Sequence, residues 1–387
     1  MSAGIRSAVI RSDREKILRE TIARFVKEEV LPVAQEVDES QEFPWDLYRK
    51  AARMGLFRVR YPVKGGGAGG NCTLYCILCE ELARGFMSLA AITAMQCLMG
   101  SEFLFRFGTD EQHETHWEPN MRGERVSGFC LTEPDAGSDL GNVRTMALEQ
   151  PDGTWIVNGL KTWVTVGGVA NHFTVLCQTR PDRKMRGLNF FLIDRDLPGV
   201  HVSEKFQVLG TRNTQISELS LTDVVLPADR LIGEKGKGLA NLLSILAEIR
   251  TMTAALALGL ARAAYEASFQ YAQERISFGK HINKYQLIQS KISIMATEIW
   301  AAELMLYKTT AMIDAGQPCL REATMVKYFA TEVACKCCDE ATRVLGAYAY
   351  SMDYPVQRFF RDSRFLLYGG GAHEVLMGVI AREVGFI

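Results

Sequence analysis

The sequence predicts an α+β protein built in three consecutive parts: an N-terminal helical domain, a middle domain of antiparallel β-strands, and a C-terminal four-helix bundle. Two changes of pattern carry this prediction. Apolar residues recur with the 3.6-residue period of amphipathic helices in the first and last parts, whereas the stretch between them reads as short strands. The length of 387 residues is typical of two or three domains. We place the domains at residues 1–121, 122–233 and 234–387.

The N-terminal part contains three amphipathic segments and a glycine-rich connection. The segments are ILRETIARFVKEEVLPVAQEV, LYRKAARMGLF and CTLYCILCEELARGF. Ser12 or Asp13 is expected to cap the first helix. The loop YPVKGGGAGGN (61–71) has the glycines of a phosphate-binding loop. It follows a helix rather than a strand and lacks a G-K-[ST] ending, so we interpret it as a connection.

Short runs rich in Val, Thr, Phe and Ile make up the middle part. They include VSGFCLTEP, GTWIVNGLKTWVTV, HFTVLCQTR, GLNFFLIDR and ISELSLTDVVL, and turn signals such as PDG, NG and LPG separate them. From residue 236 the helical period returns in three long segments, and the C-terminal segment supplies a fourth helix. Four helices with short connections indicate a bundle.

Composition and charge narrow the functional class. The formal net charge of -1 gives no overall field that would attract nucleic acid or an anionic membrane. Charged residues and glycines interrupt the apolar stretches before they reach the roughly 20 residues of a membrane span. The N-terminal residues MSAGIRSAVIRSDREK lack the apolar core of a signal peptide. We therefore expect a cytoplasmic protein with neither a membrane nor a nucleic-acid partner.

The ten cysteines are expected to be reduced and buried as small apolar side chains. Neither the helically spaced group at 72–79 nor the CKCC run at 335–338 has the paired C-x2-C or histidine pattern of a zinc site. We predict no metal.

Three segments could line a polar ligand. In FCLTEPDAGSDLGNV (129–143), Thr132, Ser138 and the amides of 135–137 follow a strand, although an ordinary Asx turn has the same composition. LKTWVTVGG (160–168) presents Trp163, a residue type that is more often core than a ligand platform. ERISFGKHINKYQLIQ (274–289) places Arg275 where it could pair with a pyrophosphate, or simply face solvent.

A glycine run precedes the last helix. In YGGGAHEVLMGVIARE (368–383), Gly369, Gly370 and Gly371 allow a ligand to approach the backbone closely. The titratable residues His373 and Glu374 follow at once. The run therefore predicts either a binding site or room for one.

Together these segments resemble the acyl-CoA dehydrogenase family across nearly the whole chain. The patterns TEPDAGSD, G-KTW-T-GG-A-, ER-SFGK, KY-QLIQ, YPV-R--RD and AREV fall in the family's order and spacing. The resemblance implies the family fold of a helical, a β and a four-helix domain, tightly bound FAD, and an acyl-CoA or acyl-carrier-protein thioester as substrate. It also implies a homotetramer or dimer, with electron-transferring flavoprotein as the acceptor.

The resemblance also assigns site residues, position by position. RVLGA (343–347) stands where the family usually has QIFGG, so Arg343 adds a charge-assisted contact to phosphate and Ala347 leaves less room. Arg275, Ser277, Phe278 and Gln286 correspond to contacts from a neighbouring subunit. The implied FAD contacts are Phe129, Leu131, Thr132, Gly137, Ser138, Trp163, Val164, Thr165, Arg275, Ser277, Phe278, Gln286, Arg343, Val344, Gly346, Ala347, Ala372 and Glu374, and the implied substrate contacts are Ser138, Arg250, Gly370 and Gly371.

The family's catalytic base is missing from both of its usual positions. The usual reaction removes an α-proton from the acyl thioester while hydride leaves Cβ, and the base is a glutamate. Gly370 occupies one family position, and Ile249, immediately before Arg250, occupies the other. Glu248 is our candidate base. It lies about 100° around the helix from Ile249, so only a local bulge would aim it into the site.

Alternatives to Glu248 remain open. His373 has a suitable intrinsic pKa, and Glu374 is a further carboxylate, although both fit structural roles at a helix start. A base-free reaction is the other alternative, as in a desulfinase-like member, an enoyl-thioester reductase, or an enzyme of secondary metabolism acting on a carrier-bound acyl group. A non-catalytic FAD-binding homologue is a hypothesis of another class. Glycine at 370 and the methionines of MQCLMG (95–100) favour a branched or bulky acyl group.

Overall fold

The computed structural model describes residues 12–386 and begins with a layer of helices. Ser12 caps the first helix by accepting a hydrogen bond from the Glu15 amide, as the sequence predicted. The 61–71 connection is a loop with one short 3-10 turn, which also agrees with its interpretation as a connection. The helices of this part are α1 (Asp13–Phe25), α2 (Ala34–Ser40), α3 (Trp45–Arg53), α4 (Cys72–Gly85), α5 (Met87–Phe107), α6 (Asp110–Gln112) and α7 (Glu118–Met121).

A single sheet forms the middle part, and it is mixed rather than antiparallel. Its strands are β1 (Ser127–Cys130), β2 (Met146–Glu149), β3 (Trp155–Val164), β4 (His172–Gln178), β5 (Leu188–Asp194), β6 (Val200–Val202), β7 (Ser217–Leu226) and β8 (Leu231–Ile232). They pair in the order β6-β7-β3-β2-β4-β5-β8. Strand β1 lies parallel to β4, with Ser127 opposite His172. Strand β2 also meets β4 in parallel, at Met146 and Gln178. The prediction of an antiparallel domain was therefore wrong for the neighbours β1 and β2 of strand β4, because the chain between β1 and β4 acts as a crossover connection.

The C-terminal part is a bundle whose fourth element is broken. Three long helices, α8 (Gly238–Glu274), α9 (Gln286–Asp314) and α10 (Leu320–Leu345), pack together, and α8 also packs on α4. A small hairpin of β9 (Ile276–Ser277) and β10 (Lys280–His281) joins α8 to α9. The fourth element is divided into α11 (Val356–Ser363) and α12 (His373–Glu383). Gly370 and Gly371, at φ +72° and +113°, lie in the break.

Within residues 12–386, two helices are long and apolar enough to cross a membrane by length and composition, contrary to the expectation from the sequence. They are α5 and α8, whose most apolar windows are 83% and 78% buried within the protein. Core helices of this kind pass the same test, so the hydropathy reflects burial against neighbouring helices. All ten cysteines are buried and free of disulfide bonds, in agreement with their predicted role as small apolar side chains. Within residues 12–386, no group of three or more His, Cys, Asp or Glu side chains is placed to hold a metal ion.

Candidate active site

A buried ion pair joins the TEPDAGSD loop to the end of strand β3. Lys161 is fully buried, and its Nζ donates to Glu133 Oε1 at 2.7 Å and to the Leu131 carbonyl at 3.0 Å. The Thr162 amide donates to the Thr132 carbonyl at 2.9 Å. These bonds hold the two segments that the sequence assigned to FAD against each other.

Glu133 is the centre of this support. Besides Lys161, its carboxylate accepts the amides of Arg144 at 2.7 Å and Thr145 at 3.0 Å. Burial by itself raises the pKa of Glu133, but Lys161 and these hydrogen bonds outweigh burial and lower that pKa overall. Neither Glu133 nor Lys161 was among the predicted site residues. The sequence signal that could have found them was one acidic residue in TEPDAGSD and one basic residue in LKTWVTVGG.

Trp163 faces outward beside this support. Its backbone is in the left-handed region at φ +58°, its side chain is 60% exposed, and its only ring partner among the described residues is Phe206, at an edge-on 5.1 Å. Thr165 is half-buried, and Ser138 in the facing loop is exposed. A large indole held outward next to hydroxyl groups suits a flat ring system with polar edges. These residues therefore fit the isoalloxazine of FAD.

The second predicted FAD group lies on the outer surface, around the β9–β10 hairpin. Phe278 is at φ +49° and is 96% exposed, and Arg275 stacks over Tyr348 at 5.6 Å. Gln286 begins α9 and is exposed. Arg343 is also exposed, but its Nε binds Asp339 at 2.8 Å. The remaining predicted FAD residues differ in exposure. Phe129, Val164 and Val344 are buried, and Leu131, Ser277 and Ala372 are half-buried. The exposed ones are Gly137, Gly346, Ala347 and Glu374.

Gly370 and Ile249, the two positions at which the resemblance predicted a base, meet at the glycine loop. A Cβ atom added to Gly370 would lie 3.9 Å from Cγ2 of Ile249 on α8 and 2.8 Å from the hydroxyl of Thr253, one helical turn further along. The Thr253 hydroxyl donates to the Ile249 carbonyl at 2.9 Å. This corner therefore presents aliphatic and hydroxyl groups and no carboxylate. Thr253 was not predicted, although its i+4 spacing from Ile249 pointed to it.

Glu248 points to a different set of partners. Helix α8 is regular from Gly238 to Glu274, so the bulge that would aim Glu248 into the site is absent. Its carboxylate pairs with Arg60 and, at 2.6 Å, with Arg106, and Glu102 completes the cluster. Both carboxylate oxygens of Glu248 are thus engaged by arginines, and Glu248 as base stays a prediction.

Two cations lie beside the glycine loop. Nη1 of Arg250 donates to Thr324 Oγ1 at 2.6 Å, and Lys327 Nζ donates to the Gly371 carbonyl at 2.8 Å. Burial lowers the pKa of Arg250, and burial together with Arg250 lowers the pKa of Lys327 to about 8. Lys327 thus fixes the loop to α10. Neither Thr324 nor Lys327 was predicted, because nothing in the local sequence shows which loop α10 contacts.

His373 has a structural setting. Its Nδ1 lies 2.8 Å from Glu332 Oε1, and its Nε2 lies 2.7 Å from Thr331 Oγ1. Both ring nitrogens therefore already have partners at the start of α12. Burial and the nearby Lys327 lower its pKa, so the ring is neutral near pH 7.

Comparison with known proteins agrees with this geometry. Residues 12–124, 128–224 and 236–385 match the N-terminal, middle and C-terminal domains of acyl-CoA dehydrogenases. The benzylmalonyl-CoA dehydrogenase of Aromatoleum aromaticum is 43% identical over 374 residues, which cover 96% of this chain and 98% of that protein. CarC, a subunit of a caffeyl-CoA reductase–Etf complex from Acetobacterium woodii, is 32% identical over 96% of this chain and 98% of its own length.

Solved structures show the same fold. Butyryl-CoA dehydrogenase from Megasphaera elsdenii superimposes with a TM-score of 0.94 at 30% identity, covering 97% of this chain and 99% of that one. A glutaryl-CoA dehydrogenase from Mycobacterium smegmatis in complex with FADH2 superimposes with a TM-score of 0.92 at 28% identity, covering 97% and 96%. The protein is an FAD-dependent oxidoreductase that acts on acyl thioesters. The chain belongs to the acyl-CoA dehydrogenase family.

Proposed function

We propose that this protein oxidises a 2-carboxyacyl thioester, a malonyl-type acyl-CoA, to the α,β-unsaturated thioester with release of CO2. The observation that carries the proposal is the corner formed by Gly370, Ile249 and Thr253, where neither usual base position holds a carboxylate. A substrate that loses CO2 from Cα needs no base there. The name of the relative at 43% identity, benzylmalonyl-CoA dehydrogenase, supports a substrate of this chemistry.

The proposed reaction balances without proton removal. The bond between Cα and the carboxylate carbon breaks, and its electron pair forms the Cα=Cβ double bond as hydride leaves Cβ. One carboxylate becomes CO2, and the hydrogen on Cα stays in the product. FAD, when bound, supplies the acceptor for the hydride.

The protein's own residues orient the reacting groups. The loop braced by Lys161 and Glu133 and the outward Trp163 hold the ring system. Lys327, through the Gly371 carbonyl, fixes the glycine loop beside Thr253, and the contact between Gly370 and Thr253 is too close to leave the extra room that the sequence predicted there. Positioning of this kind reduces the entropic cost of reaching the transition state.

Proton abstraction by Glu248 is the less favoured route. Both oxygens of Glu248 are engaged by arginines, Oε2 by Arg60 and Oε1 by Arg106, so neither is available to the acyl group. His373 is likewise occupied on both nitrogens. Decarboxylation avoids the need for either group.

Isotope labels separate the two routes. The FAD-loaded protein would be mixed anaerobically with benzylmalonyl-CoA carrying deuterium at Cα or at Cβ, and the flavin absorbance and released CO2 followed together. We expect one CO2 for each flavin bleached, slower bleaching with the Cβ label, and retention of the Cα label in the product. Equal bleaching by 3-phenylpropionyl-CoA, with loss of its Cα label to solvent, would show that a protein base acts. A flavin that no thioester bleaches would favour the non-catalytic hypothesis.

The partners complete the proposal. Electron-transferring flavoprotein is the acceptor, and the Etf complex of the relative CarC supports this choice. The exposed Phe278 and Tyr350, each 96% exposed, support a homotetramer that covers them. We place the enzyme in the cytoplasm. Light scattering of the purified protein and reduction of added electron-transferring flavoprotein test the first two statements.

A further inference from the structure

Arg250 is a buried guanidinium that has no anionic partner among the described residues. It is 5% exposed, and Thr324 Oγ1 is its only hydrogen-bond acceptor in the part of the chain that the structure describes. Within residues 12–386, its Nε has no hydrogen-bond partner and no carboxylate forms an ion pair with it. The buried Arg60 differs, because Glu102 and Glu248 compensate its charge.

A second cation, Lys327, lies near Arg250. Lys327 is fully buried, and among the described residues it donates only to the backbone carbonyls of Leu367 and Gly371. The carboxylates of Glu332 and Glu374 act on its charge without bonding to it. A buried charge without a partner is costly, and an arginine cannot relieve that cost by losing its proton. The site between α8 and α10 is therefore complementary to an anion that the chain itself does not provide.

The free edge of the guanidinium suits a carboxylate. Nη1 of Arg250 donates to Thr324, so Nε and Nη2 remain available for a ligand. These two nitrogens can donate parallel hydrogen bonds to one carboxylate. Arg250 directly follows Ile249, whose side chain faces Gly370. Thr324 lies one turn before Lys327, which binds the glycine loop. The unpaired cation thus sits beside the corner where the acyl Cα is expected.

We propose that Arg250 binds the carboxylate on Cα of the substrate and so selects 2-carboxyacyl thioesters over plain acyl thioesters. This inference rests on the proposed function for the position of the carboxylate. A carboxylate placed there completes the charge balance of Arg250, whereas a plain acyl chain leaves the cation unpaired. Arg250 then determines specificity and orients the group that leaves.

Binding of two minimal ligands tests the inference apart from catalysis. Malonyl-CoA and acetyl-CoA differ only by the carboxylate, and neither has a Cβ–H bond to oxidise. Calorimetry on the FAD-loaded wild type is expected to show malonyl-CoA binding at least about 10-fold more tightly, as for a hydrogen bond between charged groups. Arg250→Gln should abolish this preference, and Arg250→Lys should keep part of it because the charge remains.

Arg358→Lys is the matched control. Arg358 is also buried, and Gln35 is its only hydrogen-bond partner among the described residues. This variant reports the general cost of changing a buried arginine and should keep the full preference. The inference is overturned if the wild type shows no preference, or if Arg250→Gln retains it. If Arg250→Gln keeps the preference for malonyl-CoA while the wild type releases CO2, the role of Arg250 is rejected and the proposed reaction stands. If Arg250→Gln loses the preference but the wild type releases no CO2, the proposed reaction is rejected and the role of Arg250 stands.

Discussion

A Cβ atom on Gly370 would lie 2.8 Å from the hydroxyl oxygen of Thr253. The Thr253 hydroxyl is committed to the Ile249 carbonyl at 2.9 Å, so moving it costs a hydrogen bond. Gly370 is also in the left-handed region at φ +72°, which disfavours any other residue. Position 370, where the resemblance predicted a glutamate, is thus closed to a larger side chain by both backbone and packing.

Alanine at two glycines should have opposite effects on stability. Gly370→Ala is expected to cost about 1–3 kcal/mol because of its positive φ and the Thr253 contact. Gly378→Ala should stabilise by about 0.5–1 kcal/mol, since Gly378 lies inside α12 with open space around it. Differential scanning calorimetry of the FAD-loaded variants measures both. Shifts of the melting temperature in the same direction would contradict the prediction.

Glutamate at position 249 should create the missing base. Ile249 lies on regular helix and its Cγ2 is 3.9 Å from the site of a Gly370 Cβ, so a carboxylate there reaches the corner without backbone strain. We expect Ile249→Glu to exchange the α-protons of a plain acyl-CoA with deuterated solvent about 100-fold faster than wild type, the lower range for a general base. Mass spectrometry of the recovered thioester measures the exchange. Ile249→Gln is the control of equal size, and equally fast exchange in that variant would show that no base had been added.

Local patterns predicted the helices well and the pairing of strands poorly. The apolar stripe in α8 correctly implied a regular helix, in which Glu248 lies about 100° around the axis from Ile249. Glu248 as the base stays a prediction. The parallel pairing of β1 with β4 escaped prediction, because it depends on the path of the chain and not on either strand's residues.

Site residues that belong to a sequence motif could be predicted, whereas residues that reach the site only through contacts between distant elements could not. Trp163 and the TEPDAGSD loop could be named from their motifs, but the burial of Lys161 beneath them depends on tertiary packing. Lys327 contacts a loop 44 residues further along the chain. The apolar periodicity of α10 gives no information about that contact.

Glu248→Gln should reduce stability without changing the chemistry. Removing the charge leaves Arg106 and the buried Arg60 short of a partner, a change that costs about 3–5 kcal/mol for buried pairs. The melting temperature should fall, whereas the rate of CO2-coupled flavin bleaching per bound FAD should not change. Glu124→Gln, which breaks an exposed pair with Arg122, should leave both unchanged. Loss of bleaching in folded, FAD-loaded Glu248→Gln would instead support Glu248 as the base.

Lys161→Met should weaken FAD retention, and more so in acid. The pKa of Glu133 is lowered in the folded protein, so its contribution to stability is present above its unfolded value of 4.5 and is lost as pH falls through the folded value. Without Lys161, only the hydrogen bonds from Arg144 and Thr145 oppose burial, so the pKa is lowered less and the loss moves to higher pH. Visible absorbance after gel filtration at a series of pH values measures the retained FAD. Lys235→Met, at an exposed pair with Glu149, is the control, and an equal loss of FAD there would contradict the prediction.

The preference for malonyl-CoA over acetyl-CoA should weaken as pH rises through about 8. Lys327 has its pKa lowered to about 8 by burial and by Arg250, so it loses its proton in this range while Arg250 keeps its charge. Burial raises the pKa of the neighbouring Cys335, so that thiol does not account for the change.

Lys327→Met separates this effect from other titrations. Between pH 8 and the ordinary lysine pKa of 10.5, Lys327 is protonated in the unfolded chain but largely neutral in the folded protein. The free energy of unfolding of the wild type should therefore also rise with pH across that interval. The variant should lose both the rise in stability and the pH dependence of the preference, and it should keep the part of the preference that comes from Arg250. Calorimetric titrations with both ligands at each pH provide the measurement. A wild-type preference that does not change between pH 7 and 9 would show that Lys327 does not act on the bound anion.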